Sequence, residues 1–415
     1  METKKPPPGQ DEGPKGKPIR GAGGLRQEVA GALNNDYPSG LVDSIRAGGS
    51  ILDAGHTRLV LAKEFGFCYG VDRAVELAYE TVARFADRRI FITAEIIHNP
   101  QVNNRLRRMG VRFLSGPLND GATFDDIQRR DVVILPAFGV SVEVKRLLEA
   151  KGCLVVDTTC GSVVRVWKRV ESNAREGFAS IIHGAYMHEE TMATVSAARA
   201  AGGRCLVVRD RAEAQWVCDM IEGRMNPAAF LERFAPCASA DFDPEEDLRR
   251  VGLANQTTML SSESLEIAEM IRQAMERRHG ADYVRQNYRT FDTICTATQD
   301  RQNAVQELAA SRPDLVLIVG GFNSSNTGHL RQIAARFAPA YHIEGAECLI
   351  SAEEIRHKQT GAKDPVVDRG WLPRGPLTVG LASGASTPNR VTGEVIERLL
   401  QLRGEAIKSS LPSGT

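Results

Sequence analysis

The chain lacks three things at once: a charge imbalance, a long apolar run and a dense set of cysteines. Lys plus Arg equals Asp plus Glu at 52 each, so no global field points to nucleic acid or an anionic membrane as partner. No apolar run approaches the ~18 residues needed to span a bilayer, which argues for a soluble protein and against a membrane role. Eight cysteines in 415 residues, with no secretory leader in the first two dozen, argue against a disulfide framework. A reducing compartment is implied, the cytoplasm by default. The length allows two or three domains with ample apolar core.

Met1 to Gly24 is rich in Pro, Gly and Lys and poor in aliphatics, a composition expected to form a disordered tail. A short helix and a lead-in strand are expected between Leu25 and Leu61. From there short aliphatic runs alternate with longer amphipathic ones, the pattern of parallel sheets wrapped by helices. Candidate strands are Arg89 to Ala94, Asp131 to Leu135, Cys153 to Asp157, Ser180 to His183, Cys205 to Arg209, Leu315 to Val319 and Leu377 to Ala382. Candidate helices are Val71 to Phe85, Val142 to Ala150, Ser162 to Arg175, Glu189 to Ala201, Glu263 to Arg278, Arg301 to Ala310, Asn326 to Phe337 and Asn389 to Leu402. The fold class is therefore α/β. Glu222 to Arg250, with Asn226-Pro227 and the acidic Asp241 to Asp247, breaks the rhythm and reads as a long surface excursion.

Three cysteines stand where a strand-like run gives way to a helix-like run: Cys68, Cys160 and Cys295. A thiol at a helix start meets unpaired backbone N–H groups and the positive end of the helix dipole, which favour the ionised, metal-binding form. The three positions divide the chain into a tail and lead-in (1–58), three α/β units (59–158, 159–292 and 293–405) and a short tail (406–415). Each unit would bring one thiolate to a shared centre. A solitary cysteine is ordinarily a small buried apolar residue, and Cys153, Cys205, Cys218, Cys237 and Cys348 are read that way. Spacing this wide is not by itself a metal motif.

Two turns have the make-up of anion sites. Leu317 to Asn326 runs from a strand through two glycines into hydroxyl and amide residues at a helix start, and Leu381 to Pro388 does the same. Ordinary helix capping would also account for either. Neither carries the Walker lysine or the dinucleotide glycine spacing. His98 and His188 follow strands, and nearby Glu190 is a candidate proton donor. His56, His279, His329, His342 and His357 are read as ordinary core or surface groups.

Taken in order, Phe67-Cys-Tyr-Gly-Val-Asp-Arg73, Glu95-Ile-Ile-His-Asn99, Asp157-Thr-Thr-Cys160, His188-Glu-Glu-Thr191, Asn255-Gln-Thr-Thr258, Ile294-Cys-Thr-Ala-Thr298, Asn323-Ser-Ser-Asn326 and Ser383-Gly-Ala-Ser-Thr-Pro388 resemble the LytB/IspH family of 4-hydroxy-3-methylbut-2-enyl diphosphate reductases. The resemblance runs from about Leu61 to Leu400. It implies a three-lobed arrangement of α/β units around a central 4Fe-4S cluster ligated by Cys68, Cys160 and Cys295. It further implies diphosphate binding by His98, His188, Ser324, Asn326 and Ser386, with Ser325 alongside. Thr257 would contact the substrate hydroxyl and Glu190 would feed it protons. Electrons would come from a carrier such as ferredoxin or flavodoxin.

The chain departs from the commonest bacterial pattern of that family. Phe138 replaces a histidine in the Ala137 to Val140 turn, as in the plant and cyanobacterial branch, and Gly161 replaces a proline that often follows the second cysteine. Two other readings stay open at this level. One is a non-catalytic protein whose three thiolates and a histidine hold a structural zinc. The other is a phosphohydrolase, zinc-dependent or metal-free, using His98, His188 and Glu190.

Overall fold

The computed structural model describes residues 25–291 and 293–407. The stretch read as a disordered tail and residues 408–415 lie outside the described residues. After two helices, Arg26–Asp36 and Gly40–Ala47, the chain enters a sheet that it completes only near its end. β1 (Ile51–Ala54) and β2 (Thr57–Leu61) form an antiparallel hairpin. β3 (Ile90–Ile92), β4 (Val111–Phe113), β5 (Val132–Leu135) and β6 (Leu154–Asp157) follow as an all-parallel sheet in the order β4-β3-β5-β6. β7 (Ala179–His183), β8 (Cys205–Val208), β9 (Val251–Asn255) and β10 (Tyr288–Arg289) build a second parallel sheet in the order β8-β7-β9-β10. β11 (Leu315–Val319) and β12 (Ala340–Ile343) start a third. A separate hairpin of β13 (Glu354–His357) and β14 (Val366–Arg369) intervenes before β15 (Leu377–Ser383) closes it, in the order β12-β11-β15-β2-β1.

The three sheets share one plan. The first strand of each is internal, the second lies on one side of it, and the third and fourth lie on the other. In the third sheet β2 takes the fourth place, so residues 57–61 pair with β15, away from the sheet that follows them in sequence. The chain reverses direction between the first and third strands of every sheet. At such a switch point the loops leaving the carboxyl ends of the two strands splay apart and open a crevice.

Burial explains why the strands were readable. Every residue of β5, β7, β9 and β11 is buried, as continuous aliphatic runs between helical layers should be. All the expected strands are present with boundaries within two residues. The helix expected from Arg301 begins earlier, at Thr296, because the Cys295 side chain caps it by accepting from the Thr298 N–H. Glu222 to Arg250 is not a surface excursion. Asn226 caps a helix at Pro227–Phe234, and Phe230 and Phe234 on that helix are both 0% exposed, their rings 4.7 Å apart. Charged residues and prolines interrupt the stretch, but the i, i+4 phenylalanines supply one apolar stripe, which suffices for docking.

Phe230→Ala should therefore destabilise the protein by about 3–5 kcal/mol, the usual cost of emptying a buried aromatic site. Glu232→Ala on the same helix should stay within about 0.5 kcal/mol. Denaturant unfolding of both variants checks this.

Candidate active site

Each of the three cysteines is the residue immediately preceding a helix. Cys68 precedes Tyr69–Arg84, Cys160 precedes Gly161–Arg175 and Cys295 precedes Thr296–Leu308, all three in extended backbone conformation. Their backbone N–H groups repeat one interaction. Cys68 donates to the Ala385 carbonyl at 3.1 Å, Cys160 to Ala137 at 2.8 Å and Cys295 to Thr257 at 3.2 Å. In every case the cysteine follows the fourth strand of a sheet and its amide is tied to the loop after the third strand. The thiols also approach one another. A Cβ added to Gly70 would come within 2.6 Å of Cys160 Sγ, one turn into the helix that Cys68 starts, and the Cys295 thiol feels the charge of Cys68.

Among the described residues, the only His, Cys, Asp or Glu group whose ligand atoms all lie within 4.8 Å of one another is His98, His188 and Glu189. The three thiols do not all close that far. On one tetrahedral zinc, with Zn–S of ~2.3 Å, they would stand about 3.8 Å apart. A single zinc would therefore need the thiols to draw closer together than they stand. Burial pushes the Cys295 thiol up, against hydrogen bonding from Thr298. A helix start alone therefore does not make this sulfur a thiolate; a metal would have to do so.

The second sheet sets an acid-base group. Glu190 lies in the first turn of the helix Glu189–Ala200 and is 2% exposed. Its carboxylate accepts from the Thr257 N–H at 2.6 Å and from the Thr257 hydroxyl at 2.9 Å. Burial pushes its pKa up to about 7 even though both bonds favour the ionised form. The residue that holds Glu190 thus also tethers Cys295. His188 caps the same helix, its Nδ1 accepting from the Glu190 N–H at 3.2 Å. In the neutral ring the proton then sits on Nε2. Burial, helped by His98 and His329, holds the His188 pKa down to about 3, so this ring is an uncharged donor at neutral pH.

The first and third sheets add the rest at their own switch points. His98 stacks on Phe138 with ring centres 4.6 Å apart and meets His188 edge-on at 5.2 Å. Its carbonyl accepts from the Ser386 hydroxyl at 3.2 Å. Gly321 packs against that same carbonyl, which leaves no room for a Cβ. Ser324 caps the helix Ser325–Ala334 by accepting from the Thr327 N–H. Asn326, 3% exposed, has neither its amide nitrogen nor its oxygen partnered. This buried amide keeps four unused hydrogen-bonding positions that a bound anion could take up.

Every residue singled out in the sequence falls into this one region, but several neighbours were missed. His329, read as ordinary, donates from Nδ1 to the Thr258 carbonyl at 2.8 Å and lines a cleft with His188, Ser324 and Ser325. Its placement one turn beyond Ser325 on a single helix was the available signal. Glu95 and Asn323 were also overlooked: the Asn323 amide donates to Glu95 at 2.6 Å, and Glu95 in turn holds His98 Nδ1 at 3.2 Å. The arrangement combines thiols positioned for a metal core, a half-ionised buried carboxyl and a set of neutral donors at helix starts.

Comparison with known proteins agrees with this layout. A family model described as LytB protein matches residues 59–400. A 4-hydroxy-3-methylbut-2-enyl diphosphate reductase of Gloeobacter violaceus is 48% identical over 385 residues, covering 92% of this chain and 91% of the relative. One of the same description from Thermosynechococcus vestitus is 46% identical over 388 residues, covering 93% and 95%. Among solved structures, one of (E)-4-hydroxy-3-methyl-but-2-enyl diphosphate reductase, described as the terminal enzyme of the non-mevalonate pathway, aligns with a TM-score of 0.51 at 30% identity, over 83% of this chain and 99% of that one. A Plasmodium falciparum reductase structure, at 22% identity and a TM-score of 0.60, covers 86% and 94% and supports the fold. On the family model and these relatives together, the chain belongs to the LytB family.

Proposed function

We propose that the chain reduces 4-hydroxy-3-methylbut-2-enyl diphosphate to isopentenyl and dimethylallyl diphosphate, the closing reaction of non-mevalonate isoprenoid synthesis. The C–O bond of the allylic alcohol breaks, two electrons and two protons enter, and water leaves. The single observation that carries this reading is the Glu190 carboxyl, buried, clamped by Thr257 and poised to ionise near pH 7. It lies between the cysteine centre and the anion-binding loops.

Cys68, Cys160 and Cys295 would hold a 4Fe-4S cluster, with Gly70 leaving space beside Cys160. When bound, that cluster supplies electrons one at a time and a Lewis-acidic iron without a protein ligand. The electrons come from an external carrier of the ferredoxin or flavodoxin class, in the cytoplasm.

The chain's own residues bind, orient and protonate. His188 offers an Nε2–H, Asn326 its unpaired amide, and Ser324, Ser325 and Ser386 their hydroxyls, while the start of the helix Ser325–Ala334 contributes backbone dipole. His98 completes the diphosphate pocket. This remote binding fixes the reacting carbon without touching it. Thr257 contacts the substrate hydroxyl and holds Glu190 in place, and Glu190 delivers the proton that turns the hydroxyl into water.

The decisive assay is anaerobic. Reconstituted protein, a chemical reductant and the hydroxylated diphosphate should give the two isomeric products, identified by mass; release of inorganic phosphate without reductant would point to the hydrolase. Glu190→Gln should lower turnover by about 10²–10⁴-fold, the usual worth of a positioned proton donor, with substrate affinity retained. Because the folded-state pKa of Glu190 is raised, its proton is present below about pH 7 and lost above it. The wild-type rate should therefore fall as pH rises through about 7.

Cys68→Ser, Cys160→Ser and Cys295→Ser should each lose the brown visible absorption and iron content of the reconstituted protein, and Cys348→Ser should keep both. Asn326→Leu should raise KM by about tenfold or more while leaving stability equal or better, since it removes an unpaired buried polar group. A melting temperature that drops sharply would assign Asn326 a structural role instead.

A further inference from the structure

Glu189 adjoins the proton donor, yet the reaction just described gives it nothing to do. It occupies the first position of the helix Glu189–Ala200, and its side chain is 41% exposed. Its carboxylate lies 3.6 Å from His98 Nε2. That nitrogen is buried and has no hydrogen-bond partner, and 3.6 Å is too long to count as one. The other ring nitrogen of His98 is engaged by Glu95. Nε2 is therefore the unbonded edge of the ring, faced by the partly exposed carboxylate of Glu189.

The groups assigned to the diphosphate are imidazoles, hydroxyls and an amide; the cations of the same cleft, Lys358 and Arg331, are engaged elsewhere, Lys358 donating to the Phe322 carbonyl at 2.9 Å and Arg331 to the Ala340 carbonyl and the Thr360 hydroxyl. The ring stacked on His98 is Phe138, which brings no charge and no donor. His98 thus carries a carboxylate on each ring nitrogen, Glu95 at 3.2 Å from Nδ1 and Glu189 at 3.6 Å from Nε2, and only Glu189 stands on the unbonded edge that a diphosphate would approach.

We propose that Glu189 is a displaceable counter-ion that sets the affinity of the pocket for anions: it occupies the anion position beside His98 in the free protein and must yield that position to the incoming diphosphate. This rests on reading the pocket as a diphosphate site. The carboxylate weakens binding of substrate and product alike. Uniform weakening of this kind raises KM without lowering the chemical barrier and speeds release of an anionic product.

A divalent cation on His98, His188 and Glu189 is the competing use of the same trio, whose ligand atoms lie within 4.8 Å of one another. The His188 ring argues against it. Its Nδ1 lone pair is taken by the Glu190 N–H, which leaves Nε2 protonated and unable to ligate until that bond is broken.

The test is calorimetric titration of inorganic diphosphate into the full-length, anaerobically reconstituted protein, comparing wild type with Glu189→Gln, Glu189→Asp and Ser324→Ala. Glu189→Gln should bind diphosphate about three- to tenfold more tightly at low ionic strength, and the gap should shrink at high salt, because a partly exposed charge is screened. Glu189→Asp, which keeps the charge, should stay near wild type. KM for the allylic diphosphate should fall with Glu189→Gln by a similar factor while kcat does not rise, a split that loss of a structural contact would not produce. Equal or weaker diphosphate binding by Glu189→Gln overturns the proposal. So does wild-type binding that a chelator abolishes, which would make Glu189 a metal ligand. If Ser324→Ala weakens binding but Glu189→Gln does not tighten it, the pocket reading stands and the counter-ion fails. If no variant binds diphosphate, both fall together.

Discussion

The site depends on one interaction made three times, the hydrogen bond from a cysteine amide to the carbonyl of the neighbouring loop. The cysteine follows the fourth strand of its sheet and the accepting loop follows the third, so the bond spans the carboxyl ends of two adjacent parallel strands. It uses a backbone donor that a helix start would otherwise leave unpaired and a carbonyl in irregular chain that also lacks a ladder partner. The accepting loops carry Ser386, Phe138 and Thr257. Wherever one of these cysteines is held, the bond therefore also fixes a loop carrying one of these side chains, and the three helix starts cannot shift independently of those loops.

Electrostatics divides the pocket by the same logic. Glu190 is deprived of water and receives two hydrogen bonds from Thr257. Desolvation outweighs the bonds, and the carboxyl stays near half-ionisation at neutral pH, where it can both hold and release a proton. Desolvation acts on His188 in the opposite sense, because its charged form is cationic. That ring stays neutral and keeps Nε2–H as a donor. One physical term, burial, thus makes an acid available and a base unavailable on the same turn of helix.

The α/β class, the principal strands and the three cysteine positions were legible in the sequence because each leaves a local trace. Buried parallel strands such as Leu315–Val319 are uninterrupted aliphatic runs, and each of the three cysteines starts an amphipathic helix. What was missed leaves no such trace. Val111–Phe113 carries Arg112 at its centre, and Tyr288–Arg289 is two residues long. Val251–Asn255 contains Gly252, which is required because the Asn173 side chain fills the space a Cβ would need; nothing within five residues announces that. The cysteines as metal thiolates and Glu190 as a proton donor were readable from the residues, and the substrate contacts came from resemblance to the family, whereas Glu95, Asn323, His329 and Glu189 matter only through neighbours that are distant in sequence or invisible without coordinates.

The same topology orders how the site is assembled. The first two sheets are each built from contiguous chain, 90–157 and 179–289, so their pairings close short loops. The third is not. β2 pairs with β15, and the Cys68 amide meets Ala385, contacts that join residues more than three hundred positions apart. Closing a loop that long adds little to the equilibrium cost, which grows only with the logarithm of length, but it slows formation, since non-local contacts form last. Cys68 is therefore the sulfur that arrives late. Cys160 and Cys295 can be set by their own sheets, while Cys68 waits for β15, so the three cysteines come together only as the fold is completed.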